Sequence, residues 1–296
     1  MDKTLQKIIL ALIVPALLLT PLSRVFAAGV DLCAGATLFR PPHENGPFVE
    51  LLIKHASGKT AGYDKKAGKV VSDIAGSCYA EQGLGSNPTV KNLVMAEPLD
   101  GKYTLYVQAN ESGIYVLQAD MLTSQETVSS SVSGLAAGGD IQEIELEYAG
   151  GESAALSVRK KVDVYLLKRE IEMALKKGGL HKGLGKELVR DLIHLERALI
   201  NRAAGDARNI LKEFISKLAN RQESFAINNK KDIEAWFKKG FIENPDNVQE
   251  VILKKEQLFS NINNISDKKK AAWFEARSVH ILLEDAKIML EDIRQN

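Results

Sequence analysis

The hydrophobic pattern of this 296-residue chain changes its period near residue 160, and this change constrains the fold more than any other feature. Before it, apolar and polar residues alternate over short stretches that turn-forming residues separate, which is typical of β-strands. After it, apolar residues recur every three or four positions, which is typical of amphipathic helices. The sequence therefore predicts an α+β protein of two domains, an antiparallel β-sandwich over residues 28–160 and an α-helical bundle over residues 161–296.

Seven short segments of the first part are predicted as strands, and their close spacing favours a sandwich or barrel over a βαβ fold. They are residues 48–54, 69–74, 90–95, 102–108, 114–119, 141–148 and 154–158. Residues 123–140 are rich in serine and glycine, as linkers are. Because alternation resumes at residue 141, we expect the β-domain to continue across them.

The second part contains apolar stripes that predict helices packed antiparallel through short connections. The stripes are Val164, Leu167, Ile171 and Leu175, then Leu188, Leu192, Leu195 and Leu199, then Leu211, Phe214 and Leu218, and finally Val279, Leu282, Ala286, Met289 and Ile293. Gly178-Gly179 supplies the end of the first helix. Pro245-Asp246 is a start signal for a further helix before the last one, which begins near residue 266.

The first 27 residues are predicted to be a signal peptide. Lys3 and Lys7 precede 12 mostly apolar residues, 8–19, whereas a membrane-spanning helix needs about 20. Cleavage is expected between Ala27 and Ala28, where small residues stand. The alternative is an uncleaved N-terminal anchor. No later segment has the length and apolarity of a transmembrane helix, so we expect an exported chain, periplasmic or extracellular, with no transmembrane segment after cleavage.

Export changes the interpretation of the two cysteines, Cys33 and Cys78. An oxidising compartment permits a disulfide between them, and closing so long a loop stabilises a fold by about 4 kcal/mol in the chain-entropy model. The alternatives are two buried thiols or one reactive cysteine. We predict the disulfide.

The charge distribution and motif content exclude several function classes. A formal net charge of +1 argues against a polybasic nucleic-acid binder. Residues 29–150 carry 8 Lys/Arg against 15 Asp/Glu, whereas residues 151–296 carry 28 against 22, which predicts that an acidic first half docks onto a basic second half. The five histidines are scattered, and no phosphate loop or nucleophile elbow is complete. We expect no catalytic residue, metal or cofactor.

Two adjacent aromatic pairs, Trp236-Phe237 and Trp273-Phe274, are candidate partner contacts. Neighbouring residues on a helix do not face the same side, so each pair could leave one ring exposed to a protein or glycan partner. The alternative is that the rings pack between helices.

The β-domain resembles the Ig-like sandwich of secreted bacterial multi-domain surface proteins. Tyr103, which follows the turn at residues 98–101, resembles the tyrosine corner of such sandwiches, where the hydroxyl bonds nearby backbone. The alternative is a generic turn followed by an aromatic strand. The other segments that carry the resemblance are residues 49–53, 60–64, 68–74, 100–107 and 113–117.

Residues 180–220 are similar to the FIMAH-type helical domain of bacterial surface proteins. The similarity is carried by Gly183, Leu184, Leu188, Leu192, Ala198, Leu199 and residues 207–215, whereas residues 221–296 have no counterpart in that domain. Both resemblances imply an exported accessory or surface protein without established catalytic activity.

We therefore expect an exported, non-enzymatic binding or structural protein of the bacterial envelope or extracellular space, acting through protein or glycan contacts or self-assembly. One alternative is a cell-envelope hydrolase or its accessory subunit. Another is a periplasmic chaperone-like module that adds a strand at an open sheet edge near residues 90–95.

Overall fold

A computed structural model describes residues 36–39, 49–84, 87–96, 98–122, 127–150, 155–229, 234, 238 and 267–295. Within these residues strands come first and helices follow, which confirms the α+β class. The strands are β1 (Ala36–Phe39), β2 (Val49–His55), β3 (Thr60–Asp64), β4 (Lys69–Ser72), β5 (Ser77–Leu84), β6 (Asn87–Met95), β7 (Gly101–Ala109), β8 (Gly113–Leu122), β9 (Thr127–Ala136), β10 (Ile141–Ala149) and β11 (Ala155–Lys160). The helices are α1 (Val164–Lys176), α2 (Lys182–Ile200), α3 (Ala204–Asn228) and α4 (Asp267–Gln295).

The described strands form two sheets in which neighbouring strands are antiparallel. One sheet has the order β11-β10-β7-β2-β3-β4, and the other has the order β5-β6-β1-β8-β9. The chaperone-like alternative needs an open edge at residues 90–95. However, β6 pairs with β5 on one side and with β1 on the other, so this segment is not an edge.

The two sheets share one core because alternate residues of their strands point to the same side. Leu51 of β2, Val107 of β7 and Leu117 of β8 are buried in a single apolar cluster. The burial pattern of β7 alternates along most of its length, as the sequence pattern predicts. The serine-rich segment is not a linker: β9 occupies residues Thr127–Ala136.

Tyr103 makes the hydrogen bond expected of a tyrosine corner. Its hydroxyl donates to the carbonyl oxygen of Leu99, four residues upstream, at 2.6 Å. Burial raises the pKa of Tyr103, so the hydroxyl keeps the proton that it donates. This contact fixes the turn that leads into β7.

Local signals set the helix boundaries where the sequence places them. The Asp163 carboxylate accepts a hydrogen bond from the Leu166 amide at 2.7 Å and caps the start of α1. Gly178, with φ +75°, ends the same helix in the left-handed region. The predicted stripe of α3 is fully buried at Leu211 and Phe214.

The helices pack on the strands through a second apolar cluster that contains residues of both. Ile114 of β8 and Leu135 of β9 lie in this cluster with Leu167 of α1 and Leu282 of α4. Only residues 161–163 separate β11 from α1. The two predicted domains are therefore in direct, apolar contact.

Several predictions lie outside the described residues, namely the signal peptide, its cleavage site and the helix beginning near Pro245-Asp246. None of the described helices has the length and apolarity needed to cross a membrane.

Substituting Gly134→Ala is expected to lower the free energy of unfolding by about 1–3 kcal/mol, because it overpacks a filled site. Gly134 of β9 lies opposite Tyr115 of β8, and a Cβ there would stand 2.5 Å from the Tyr115 ring. Urea denaturation measures the loss. The matched control is Gly205→Ala in α3, where a Cβ meets nothing within 4 Å. An equal loss in both variants would contradict this explanation.

Candidate functional site

Three ionisable side chains meet in the interior where the strands contact the helices. Lys160 is the last residue of β11, Glu170 lies in α1 and Asp285 lies in α4. The Lys160 ammonium donates to Oε1 of Glu170 and to Oδ2 of Asp285, both at 2.6 Å. All three side chains are no more than 3% exposed. We call Lys160, Glu170 and Asp285 the buried cluster.

Each member of the buried cluster stands at an inward-facing position of its own element. Along β11, Lys160 follows Leu156 and Val158 on one face of the strand. Glu170 lies in the buried stripe of α1, beside Ile171. Asp285 lies beside the fully buried Ala286 of α4. All three charged residues therefore lie on the buried faces of their elements, where these faces meet.

The buried cluster holds two carboxylates for one cation. Burial raises the pKa of Glu170 well above its usual range, and the nearby Asp285 raises it further, against the opposing effect of Lys160. Burial also acts to lower the pKa of Lys160, but Asp285 and Glu170 outweigh that effect and the net shift is upward. Both shifts favour the protonated forms of Glu170 and Lys160, an arrangement in which the buried cluster is neutral overall.

The second oxygen of Glu170, Oε2, is buried, and no hydrogen bond to it comes from the part of the chain that the structure describes. The Glu170 and Asp285 carboxyls contact the same Lys160 nitrogen, each at 2.6 Å, so they are neighbours. The nearby Asp285 favours a proton on Glu170, since it raises the pKa of that carboxyl.

A polar frame from the strands supports the buried cluster. The Leu135 amide of β9 donates to Oε1 of Glu170 at 3.2 Å, and Nε2 of Gln142 in β10 donates to the Leu135 carbonyl oxygen at 2.6 Å. The Tyr115 hydroxyl donates to Oε1 of Gln142 at 2.5 Å. Burial raises the pKa of Tyr115, so the hydroxyl keeps its proton. These contacts fix the position of Glu170 relative to the sheet.

In the described residues, the ion pairs that join residues 29–150 to residues 151–296 have the direction of the charge prediction. Arg169 of α1 pairs with Asp140, beside β10, at 2.8 Å, as an acidic first half and a basic second half require. Lys161 pairs with Glu143 of β10 in the same sense at 2.8 Å. The pairs of Arg159 with Asp292 of α4, and of Lys160 with Glu170 and Asp285, lie within the second half. At the buried positions, the strand supplies the cation and the helices supply the acids.

The predicted site residues are not brought together in the described part of the chain. Cys78 lies half-buried in β5, whereas Cys33 lies outside the described residues, so the disulfide stays a prediction. The Phe274 ring packs on the helical core, 2.3 Å from where a Cβ of Gly179 would stand, which is the packing alternative for this ring. The backbone of Trp273 lies in α4. Outside the described residues lie Ala27, Ala28, Trp236 and Phe237.

The histidines that the structure describes lie outside the buried cluster. In the described ranges, no group of three or more His, Cys, Asp or Glu side chains could hold a metal ion. His280 of α4 is buried, with Nδ1 3.1 Å from Nε2 of Gln222. Burial, together with the nearby Arg277 guanidinium, lowers the pKa of His280 to about 4.

Sequence reasoning missed the buried cluster, although a signal was present. A charged residue occupies an inward-facing position on each of three elements, at Lys160, Glu170 and Asp285. Charged side chains are rarely buried without a partner, so three such positions indicate mutual pairing. What the sequence does not provide is which of them meet, because Lys160 and Asp285 are separated by 125 positions.

Substituting Lys160→Met is expected to lower the free energy of unfolding by about 3–5 kcal/mol, since it leaves two buried carboxyl groups without their cation. Chemical denaturation measures the loss. The matched control is Lys287→Met, which removes the ammonium from an exposed pair with Glu284 and should cost less than about 1 kcal/mol. Similar losses in the two variants would contradict the role assigned to burial.

Acidification is expected to destabilise the fold through His280. Between pH 6.5, the ordinary pKa, and pH 4, the unfolded chain binds a proton that the folded chain excludes, so the free energy of unfolding falls by roughly 3 kcal/mol across this window. The difference between the wild type and His280→Gln should therefore change with pH. His194→Gln, at an exposed position of α2, is the control. A difference that is constant from pH 7 to pH 4 would contradict the shift.

The chain matches no protein-family model, and neither a curated protein nor a solved structure is significantly similar to it. The resemblances to an Ig-like sandwich and to a FIMAH-type domain therefore stay predictions from the sequence. Function has to be argued from the contacts of the buried cluster and from the arrangement of strands and helices around it.

Proposed function

We propose that this is an exported, non-enzymatic binding or structural protein of the bacterial envelope or extracellular space. The observation that carries the proposal is the buried cluster, which joins β11 to α1 and α4. A cation that two helices must satisfy together favours a single arrangement of strands and helices. A rigid body of this kind suits a protein that acts through surface contacts.

We further propose that the β-domain is an Ig-like sandwich, and the strand order supports this. The order β10-β7-β2-β3-β4 corresponds to the sequence G-F-C-C′-C″ of a variable-type Ig sheet, and β5-β6-β1 corresponds to D-E-B of the other sheet. Tyr103 lies near the start of β7, the strand that corresponds to F, where a tyrosine corner belongs.

The strands that depart from the Ig order are the ones that contact the helices. The hairpin β8-β9 is inserted between the strands corresponding to F and G, and it lies beside β1, where strand A would pair. β11 extends the sheet beyond β10. β9 contacts α1 and α4, and β11 supplies Lys160. In this interpretation, β8, β9 and β11 are additions to an Ig-like sandwich, and β9 and β11 bind the helices.

The buried cluster supports a contact role over a hydrolase role. Its carboxylates and ammonium have the composition of an acid–base site, but they are enclosed by the apolar cluster and by Tyr115. A substrate in solution does not reach groups buried to this degree. The charged chemistry of this site therefore serves the interior of the protein.

Co-sedimentation of the protein with isolated bacterial envelope tests the proposal. The mature chain, beginning at Ala28, should sediment with an envelope preparation and be displaced by excess unlabelled chain, without release of soluble envelope fragments. N-terminal sequencing of the exported protein should begin at Ala28. Lys160→Met weakens the contact of β11 with α1 and α4, so it should reduce the fraction of the chain that sediments. Lys287→Met should leave that fraction unchanged.

Three results would overturn the proposal. Turnover-dependent release of soluble fragments would favour the hydrolase alternative. Failure of the chain to sediment would remove the binding role. A protein retained in the cytosol with its first 27 residues intact would remove the predicted export.

A further inference from the structure

The buried cluster combines the three groups that an amide condensation between side chains requires. The Lys160 nitrogen is a latent nucleophile in contact with the Asp285 carboxyl at 2.6 Å. The Glu170 carboxyl contacts the same nitrogen at 2.6 Å, and it is therefore a neighbour of the Asp285 carboxyl. All three are enclosed, with side chains no more than 3% exposed.

We propose that Lys160 and Asp285 become joined by an isopeptide bond, with Glu170 acting as the acid–base group. The bond forms between Nζ of Lys160 and Cγ of Asp285, and one Cγ–O bond of Asp285 breaks. The leaving oxygen departs as water. No oxidant or other reactant is consumed, and Glu170 is regenerated.

Proton transfers inside the buried cluster prepare the reacting groups. The Lys160 ammonium passes one proton to the Asp285 carboxylate, which gives a free amine and a carboxylic acid without exchange with solvent. In a site of low dielectric, the neutral pair is favoured over the ion pair far more than it is in water. The high pKa of the Lys160 ammonium therefore does not block the step, because the proton moves to a group that already contacts the nitrogen.

Glu170 then serves the reaction in two ways. As a carboxylic acid, it passes its proton to the Asp285 carbonyl oxygen while Nζ attacks Cγ. As the resulting carboxylate, it removes a proton from the attached nitrogen and passes it to the departing hydroxyl, which leaves as water. It then recovers its own proton from the remaining oxygen as the amide carbonyl forms. Burial and the nearby Asp285 raise the pKa of Glu170 well above its usual range, which favours the acid form that this step uses. The Leu135 amide holds the carboxyl in place at 3.2 Å.

Proximity and burial both favour the product. The fold holds the nitrogen and the carboxyl in contact, which replaces the bimolecular encounter of free groups. The amide also replaces two buried charges by a neutral group, which removes a desolvation penalty. The water that is released leaves for bulk solvent.

Another close ion pair lacks these conditions and serves as an internal control. Lys217 of α3 lies 2.5 Å from Asp191 of α2, but its side chain is 29% exposed. Within the described residues, no second carboxylate pairs with Lys217. This pair therefore has a nucleophile and a carboxyl, but neither the enclosure nor the third group.

The intact mass of the folded, purified chain after reduction and denaturation tests the inference. The expected mass is one water below the mass calculated from the sequence. Proteolysis should yield a branched peptide that joins the segment containing Lys160 to the segment containing Asp285. Glu170→Gln keeps the size of the side chain but removes the acid, and it should retain the full calculated mass, with circular dichroism verifying that it is folded.

Matched variants distinguish the isopeptide bond from other reactions in which the chain loses water. Lys160→Arg cannot form the amide and should retain the full mass, whereas a cyclic imide at Asp285 would still lose water in that variant. Lys217→Arg should lose one water as the wild type does. A folded wild-type chain with the full calculated mass and no branched peptide after prolonged incubation would overturn the inference. The outcome is independent of the envelope-binding proposal, because the mass does not depend on a partner.

Discussion

The contact of one buried ammonium with two buried carboxyls determines how the strands and helices of this protein fit together. Lys160 has lost its hydration, and Glu170 and Asp285 replace it only when β11, α1 and α4 are all in place. Sliding a helix by one turn would leave a charge buried without a partner, which costs several kcal/mol. Apolar packing between the same elements tolerates such shifts far better, so the polar contact supplies specificity and the apolar clusters supply most of the driving force.

The position of Glu170 depends in turn on a residue that has no side chain. Gly134 leaves room for the Tyr115 ring to lie across β9, and the Tyr115 hydroxyl then reaches Gln142. Gln142 binds the Leu135 carbonyl oxygen, and the Leu135 amide binds Glu170. Because each contact depends on the one before it, the register of the β8-β9 hairpin determines where Glu170 lies in the buried cluster. A shift of β8 by one residue would move Tyr115 to the opposite face of the sheet and break its contact with Gln142.

Local patterns were sufficient to predict most elements of the fold but not the candidate site. Alternation predicted β7 and β10, and apolar stripes predicted α1 to α4, because each pattern is complete within one element. β5 was not predicted, since its residues Ser77–Leu84 include few large apolar side chains and it depends on pairing with β6. The buried cluster draws its members from three elements, and no local pattern specifies which inward-facing charges meet.

Net charge per domain is a poor guide to docking because it weights all charges equally. Exposed charges are screened by water and salt, and the excess of acid before residue 150 and of base after it consists largely of such groups. The charges of the buried cluster are few and buried, and all three belong to the second half, so the net charges of the two halves do not describe their contact. Lys160 is also the last residue of β11. The domain boundary that the hydrophobic period predicts therefore lies at a residue whose contacts hold the strands and helices together. A division of the chain after residue 160 would therefore separate the cation from both of its carboxyl partners, and we infer that the β-domain and the helices form one cooperative unit.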